Sequence, residues 1–160
     1  VFYMGKEIEI KVPLTENQYN DIFANIFEKK RINKITVKDS SKEIVTKIDE
    51  YYSKYKTREE RINNHEPQVI RIRTEKQNEK NTSFFTIKRK SIQNGIEFNQ
   101  EDETYIENAS VLRDMFELAN YICWFKKQKD AYGAHCSFED FPGIDFHLEL
   151  EKVNNLFALF

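Results

Sequence analysis

Glu7-Ile8-Glu9-Ile10-Lys11 places a charge at every odd position and an isoleucine at every even one. On a β-strand, successive side chains point to opposite faces. Glu7, Glu9 and Lys11 therefore share one face, and Ile8 and Ile10 the other. Alone, this reads as an amphipathic strand with a wet face. The same alternation returns down the chain with complementary signs, and that recurrence decides the fold. Arg71 and Arg73 share a face between Ile70 and Ile72. Thr86, Lys88 and Lys90 share one, with Phe85 and Ile87 opposite. Glu97, Asn99, Glu101 and Glu103 line one side of residues 96–106. Lys127 and Lys129 stand two apart, and Glu149 and Glu151 alternate with Leu148 and Leu150.

The rest of the chain connects these strands. Val12-Pro13-Leu14 leads to Thr15, a helix N-cap. Tyr19, Ile22, Phe23, Ile26 and Phe27 then recur at helical spacing, which predicts a helix up to about Lys30. Strands are expected at 35–37 and 44–52, and an exposed loop at 56–67. A polar turn falls at 76–81, and Asn94-Gly95 is a hairpin signal. Asn108 caps a second helix over 109–121, with Val111, Leu112, Met115, Phe116 and Ala119 as its apolar stripe. A turn at Pro142-Gly143 precedes the last acidic strand.

Two apolar helix stripes need a surface to bury against, and the Ile, Phe and Leu faces of the strands supply it. The charged faces then point away from the helices. In an open sheet they would be a solvated surface. In a sheet that curls shut they would line a tunnel. Charges enclosed in that way are costly unless paired or filled by a ligand. Arg and Lys suit a polyanion such as a triphosphate, and carboxylates suit Mg²⁺ or Mn²⁺.

Composition narrows the classes. The 13 Phe and 8 Tyr exclude a disordered chain, which would be poor in aromatics. The 25 basic and 27 acidic residues leave a net charge of −2, which argues against nucleic-acid binding by bulk charge. Four glycines exclude a Gly-rich phosphate loop. Cys123 and Cys136 have no metal-ligand spacing and read as free thiols. His65 reads as loop surface and His147 as a structural histidine. No apolar run spans a membrane, so the expectation is one soluble, cytoplasmic domain over residues 1–160.

Taken in order, these residues resemble the CYTH superfamily, the triphosphate tunnel metalloenzymes. Glu7-x-Glu9-x-Lys11 resembles its ExExK signature. Asp49-Glu50-Tyr51-Tyr52, Ile70-Arg71-Ile72-Arg73 and Thr86-Ile87-Lys88-Arg89-Lys90 resemble successive family strands. So do Glu101-x-Glu103, Lys127-x-Lys129-x-x-Tyr132 and the segment 143–151 that ends in Glu149-Leu-Glu151. The sequence departs from the family pattern at Asn99, Lys129, Glu139, Asp145 and His147.

The resemblance implies an α+β fold, a closed or nearly closed antiparallel eight-stranded β-barrel with flanking helices. It implies Mg²⁺ or Mn²⁺ held by Glu7, Glu9, Glu149 and Glu151. It implies phosphate binding by Lys11, Arg71, Arg73, Lys88, Lys90, Lys127 and Lys129, with Glu101, Glu103 and Lys88 in catalysis. The activity expected is hydrolysis of inorganic or organic triphosphate. The alternatives are a class IV-type adenylyl cyclase and a non-catalytic polyphosphate or nucleotide module. The partner expected is a triphosphate-containing small molecule, with no membrane. Nucleic acid enters only as an RNA 5′-triphosphate end, and a homodimer stays open.

Overall fold

A computed structural model describes residues 2–40, 44–153 and 156–159. Among the described residues the chain forms eleven strands and three short α-helices, and the strand pairs of known register are antiparallel. It divides into two compact units, each assembled from separate stretches. The first holds residues 1–10 and 47–128, the second 11–46 and 129–160.

In the first unit the ladder runs in the order β1 (Phe2–Glu9), β8 (Ile96–Ile106), β7 (Lys80–Gln93), β6 (Gln68–Gln77), β5 (Val45–Ser53). Turn chemistry sets this register. Asn94 and Gly95 both take positive φ, 52° and 76°, and close the β7–β8 hairpin as expected. Asn78 and Glu79 do the same between β6 and β7, at 49° and 64°. Two-residue turns allow no slip, so Arg71 lies opposite Thr86, and Thr86 opposite Glu103.

Helix α3 (Ala109–Leu118) covers one side of this sheet. Asn108 caps it, accepting from the Ser110 N–H at 3.2 Å, and Asn120 at φ 60° follows its end. Ala109, Leu112 and Phe116 pack on Tyr52, Ile70, Ile72, Phe85 and Ile106. Phe116 stacks on Tyr52 with ring centroids 4.5 Å apart. Val111 and Met115, expected in the buried stripe, are exposed, because α3 buries only one narrow face. Ile8 and Ile10 are 65% and 59% exposed, so their face of β1 meets solvent and no helix.

An ion pair joins α3 to β5. Arg113 grips Glu50 with contacts of 2.7 to 3.1 Å, and the Tyr52 hydroxyl donates to Glu50 at 3.2 Å. Burial, and then the Glu50 charge, push the Tyr52 phenol up to about 12. An unfolded tyrosine loses its proton near pH 10, so between about pH 10 and 12 the folded chain alone keeps it. Stability must therefore fall as pH rises through that window, by at most about 1.4 kcal/mol per unit. Urea unfolding of Tyr52→Phe at about pH 9 and about pH 11 is expected to show that fall reduced by roughly 1 kcal/mol, since only the unit above pH 10 lies inside the window.

In the second unit β9 (Ile122–Phe138) pairs β10 (Asp145–Val153), then β11 (Leu156–Leu159) and β2 (Val12–Leu14). β4 (Ile35–Ser40) pairs β9, and β3 (Arg31–Ile32) pairs β4. Helix α1 (Glu16–Phe23) starts in a Thr15–Gln18 capping box and passes into a π-helical turn, Ala24–Glu28. The single helix expected to Lys30 is thus two segments. The wider turn brings the consecutive Ile26 and Phe27 both into the core, with Val37, Ala134, Cys136, Leu148 and Leu150.

Three expectations are corrected. Among the described residues the hydrogen-bonded strand order is an open path of nine strands from β1 to β2, with β3 and β4 off that path, not a closed barrel of eight. Val12-Pro13-Leu14 is a strand rather than a helix lead-in. Pro13 has no N–H to donate, which suits the end position of β2 in that order. Within the expected loop at 56–67 lies α2 (Arg58–Asn63), because Thr57 and Glu60 form a second capping box. Cys123 and Cys136 are free thiols, as expected. No helix among the described residues is long and apolar enough to cross a membrane.

Candidate active site

The charged face of the first unit is the side of the sheet away from α3. Its groups come from consecutive strands in register. Arg71 aligns with Thr86 and Glu103, and Lys88 with Glu101. Lys90 aligns with Asn99, which aligns in turn with Glu7. Antiparallel neighbours on one face stand close enough for direct pairing.

The contacts are dense. Arg71 Nη2 donates to Thr86 Oγ1 at 3.2 Å and lies 3.5 Å from both Glu101 Oε1 and Glu103 Oε2. The Thr86 hydroxyl in turn donates a hydrogen bond to Glu103 Oε2 at 2.9 Å, which fixes that carboxylate. Lys88 Nζ lies 3.3 Å from Glu101 and 3.8 Å from Glu9. Arg73 holds Asp49 through two parallel hydrogen bonds, 2.7 and 2.8 Å. Lys90 Nζ lies 3.9 Å from Glu97, which also accepts from Asn99 Nδ2 at 3.2 Å. Most of these groups are deeply placed: Asp49 is fully buried, and the side chains of Arg71, Lys88 and Glu101 are 10–14% exposed.

Tyr51 and Lys127 flank the cluster. The Tyr51 hydroxyl donates to Asp49 at 3.3 Å, and Lys127 Nζ lies 5.9 Å from the centre of the Tyr51 ring. Burial, then the Asp49 charge, raise the Tyr51 phenol, and Arg71 and Arg73 pull it back.

In the second unit Lys129 and Glu151 form a buried ion pair at 2.5 Å. Glu149 shares a face with Glu151, and their register partners on β9 are Gly133 and Ala131. Small residues there leave room beside the carboxylates. At Gly133 the imidazole of His147 fills that room; a Cβ would meet it at 3.1 Å. Burial raises the Glu151 carboxyl above the usual carboxylate range; Lys129 opposes this and Glu149 adds to it. Glu151 Oε2 is buried and has no hydrogen-bond partner among the described residues. A buried, under-satisfied carboxylate beside a second one has the donor chemistry of a hard divalent cation site.

The sequence-predicted residues distribute as follows. Glu9, Arg71, Arg73, Lys88, Lys90, Glu101 and Glu103 share the charged face of the first unit, with Lys127 beside Tyr51. Lys129, Glu149 and Glu151 share the second unit. Lys11 also falls there, exposed in the two-residue break between β1 and β2. Glu7 has its backbone opposite Asn99, and its side chain lies outside the described residues. Among the described residues no three His, Cys, Asp or Glu side chains gather as a metal cluster.

Asp49, Tyr51, Thr86, Glu97 and Asn99 belong to the first unit's network without having been predicted as site residues. Strand parity was the available signal: Thr86 and Asn99 each stand two positions from a predicted site residue, and Asp49 pairs in this way with Tyr51 and Glu97 with Asn99. A separate pocket lined by Arg58, Arg61, Ile62, His65 and Glu66 contains none of the predicted site residues. Its Arg61 is already held by Glu66 and stacked over Trp124, 4.4 Å from the ring centre.

Solved structures resemble this fold. The PH1819 protein of Pyrococcus horikoshii superposes with a TM-score of 0.64 at 16% identity, over 98% of this chain and 76% of that one. A conserved hypothetical protein of Pyrococcus furiosus gives 0.59 at 14%, over 97% and 77%. A protein of Vibrio parahaemolyticus described as a candidate adenylate cyclase gives 0.59 at 14%, over 96% and 73%. The chain shares their fold. No protein-family model matches the chain, and neither does any curated protein.

Proposed function

We propose that this chain is a divalent-metal-dependent triphosphate hydrolase of the CYTH kind, acting on inorganic or organic triphosphate. The observation that carries the reading is the first unit's charged face. Arg71, Arg73, Lys88 and Lys90 stand together there, each with a carboxylate within 3.9 Å. Cations concentrated and partly desolvated in this way suit a polyanion, and carboxylates interleaved with them suit its counter-cation. The shared fold with a candidate adenylate cyclase supports the CYTH resemblance.

In this reading Arg71, Arg73 and Lys88 grip phosphate oxygens, with Lys127 on the same unit beside Tyr51. Arg71 and Lys88 offset the charge that grows on the transferred phosphoryl group. Glu103, the more exposed of the central pair at 27% against 14% for Glu101, orients a water molecule in line with the terminal phosphorus. The Thr86 hydroxyl holds Glu103 in place for that work. The water oxygen bonds to phosphorus, the bridging P–O bond breaks, and the water proton passes to the carboxylate. In the second unit Glu149 and Glu151 are the residues that would hold Mg²⁺ or Mn²⁺, and in the first unit Glu9, with Glu7 from the same sequence motif, offers the same carboxylate chemistry. The bound ion would neutralise phosphate charge and polarise a phosphoryl oxygen.

Cyclisation of ATP is the second reading, favoured by the description of the Vibrio protein. The same basic residues would serve it, with the ribose 3′-hydroxyl in place of water and pyrophosphate as the leaving group. Incubation with ATP and with inorganic triphosphate, each with Mg²⁺ and with Mn²⁺, separates the readings. Orthophosphate release is the expected result. Cyclic AMP with pyrophosphate would move the assignment to the cyclase, and tight binding without turnover would leave a binding module.

A further inference from the structure

We propose that Asn99 selects the substrate, by accepting a hydrogen bond from a hydroxyl or amino group on an organic triphosphate. The inference rests on the triphosphate reading above and narrows it to nucleoside triphosphates and their like. Asn99 is 2% exposed and stands on the charged face of β8, with Glu97, Glu101 and Glu103. Its Nδ2 donates to Glu97 Oε2 at 3.2 Å, which settles which end of the amide is oxygen. Its Oδ1 is buried and has no hydrogen-bond partner among the described residues. Native proteins seldom leave a buried amide oxygen unmet, so one that faces a charged site calls for a partner there.

An amide oxygen accepts and cannot donate. Inorganic triphosphate near neutral pH is also an acceptor almost throughout, so it offers Asn99 nothing. A sugar hydroxyl or an exocyclic amine offers the missing proton. Position agrees with this division of labour. Arg71 Nε, on the same face, is a buried donor with no hydrogen-bond partner among the described residues. Arg71 aligns through Thr86 with Glu103, four residues along β8 from Asn99, which is about 14 Å of strand. That span exceeds the reach of three linked phosphates and suits a triphosphate extended by a nucleoside. The anionic end would lie toward Arg71 and the donor-bearing end toward Asn99.

The test needs no variant at its first stage. Binding of ATP, 2′,3′-dideoxy-ATP, purine riboside triphosphate (which lacks the adenine amino group) and tripolyphosphate to the full chain is measured by calorimetry with Mg²⁺. The analogue that lacks the group Asn99 accepts from, either the ribose hydroxyls or the adenine amino group, is expected to bind about 10- to 100-fold more weakly than ATP. In Asn99→Ser and Asn99→Leu the ratio of affinities for ATP and for that analogue is expected to fall toward one. Two variants are used so that a misfolded Leu form does not decide the matter. Equal binding of ATP and all analogues by the wild-type chain would overturn the inference and leave the triphosphate reading standing. So would a ratio that the variants do not move. Binding of none of the four compounds would overturn the triphosphate reading itself.

Discussion

Arg71→Ala is expected to lower triphosphate turnover by about 10³-fold, the scale seen when one preorganised charge donor is removed from a reacting centre. Arg71 is the residue on which the first unit's network converges. Its Nη2 reaches Thr86, Glu101 and Glu103 together, and its buried Nε has no hydrogen-bond partner among the described residues. A ligand oxygen at Nε would complete the guanidinium without disturbing the other contacts. Arg71→Lys keeps the charge and loses the planar fork, so it is expected to recover only part of the rate. Steady-state kinetics with tripolyphosphate and ATP, on protein whose circular dichroism matches the wild type, checks both. Wild-type turnover in Arg71→Ala would remove the charged face of the first unit from the mechanism.

Asp49→Ala is expected to destabilise the chain by about 3–5 kcal/mol, the cost of removing one partner from a buried pair. Asp49 is fully buried, receives both hydrogen bonds of the Arg73 fork, and accepts from Tyr51. Exposed ion pairs such as Arg31–Glu139 carry no comparable cost, since water screens them. Replacing both partners, Asp49→Leu with Arg73→Met, is expected to recover most of the stability but not the activity. Leaving two apolar groups in place of a buried pair is often close to neutral. Urea denaturation of Asp49→Leu, Arg73→Met and the double variant measures the coupling. A double variant as active as the wild type would mean that Arg73 only holds the fold.

Much of this was legible in the chain, for a simple reason. A period of two tells which residues share a face, and Asn94-Gly95 ties β7 to β8. From those facts Lys88, Lys90, Glu101 and Glu103 had to lie on one surface. Which cation meets which carboxylate was not legible, because that depends on register. The second two-residue turn, Asn78-Glu79, puts Glu79 at φ 64°, a conformation its composition does not advertise. It nonetheless aligns Arg71 with Thr86 and so with Glu103.

Asp49 was visible only as part of a motif. Its partnership with Arg73 joins residues 24 apart in the chain. Helix α2 was missed because its six residues carry no apolar period, while the Thr57–Glu60 capping box gave the true signal. The closed eight-stranded barrel followed from the family resemblance, and strand alternation says nothing about how a ladder ends. Lys11 follows the alternation of β1 on paper, yet the strand stops at Glu9 and Lys11 is exposed.

The central claim is that the paired charges of the first unit are a binding site in its resting form. Phosphate that reaches Arg71 Nε must also take Lys88 or Arg73, which displaces a carboxylate, and the displaced carboxylate then needs a cation. Triphosphate and divalent metal should therefore bind with positive coupling. Calorimetric titration of the full chain with tripolyphosphate, with and without Mg²⁺ and corrected for the chelate formed in solution, tests this directly. The expected result is affinity at least tenfold higher with Mg²⁺, a coupling of about 1.4 kcal/mol. Equal affinity with and without Mg²⁺, or no binding in either case, would contradict the account.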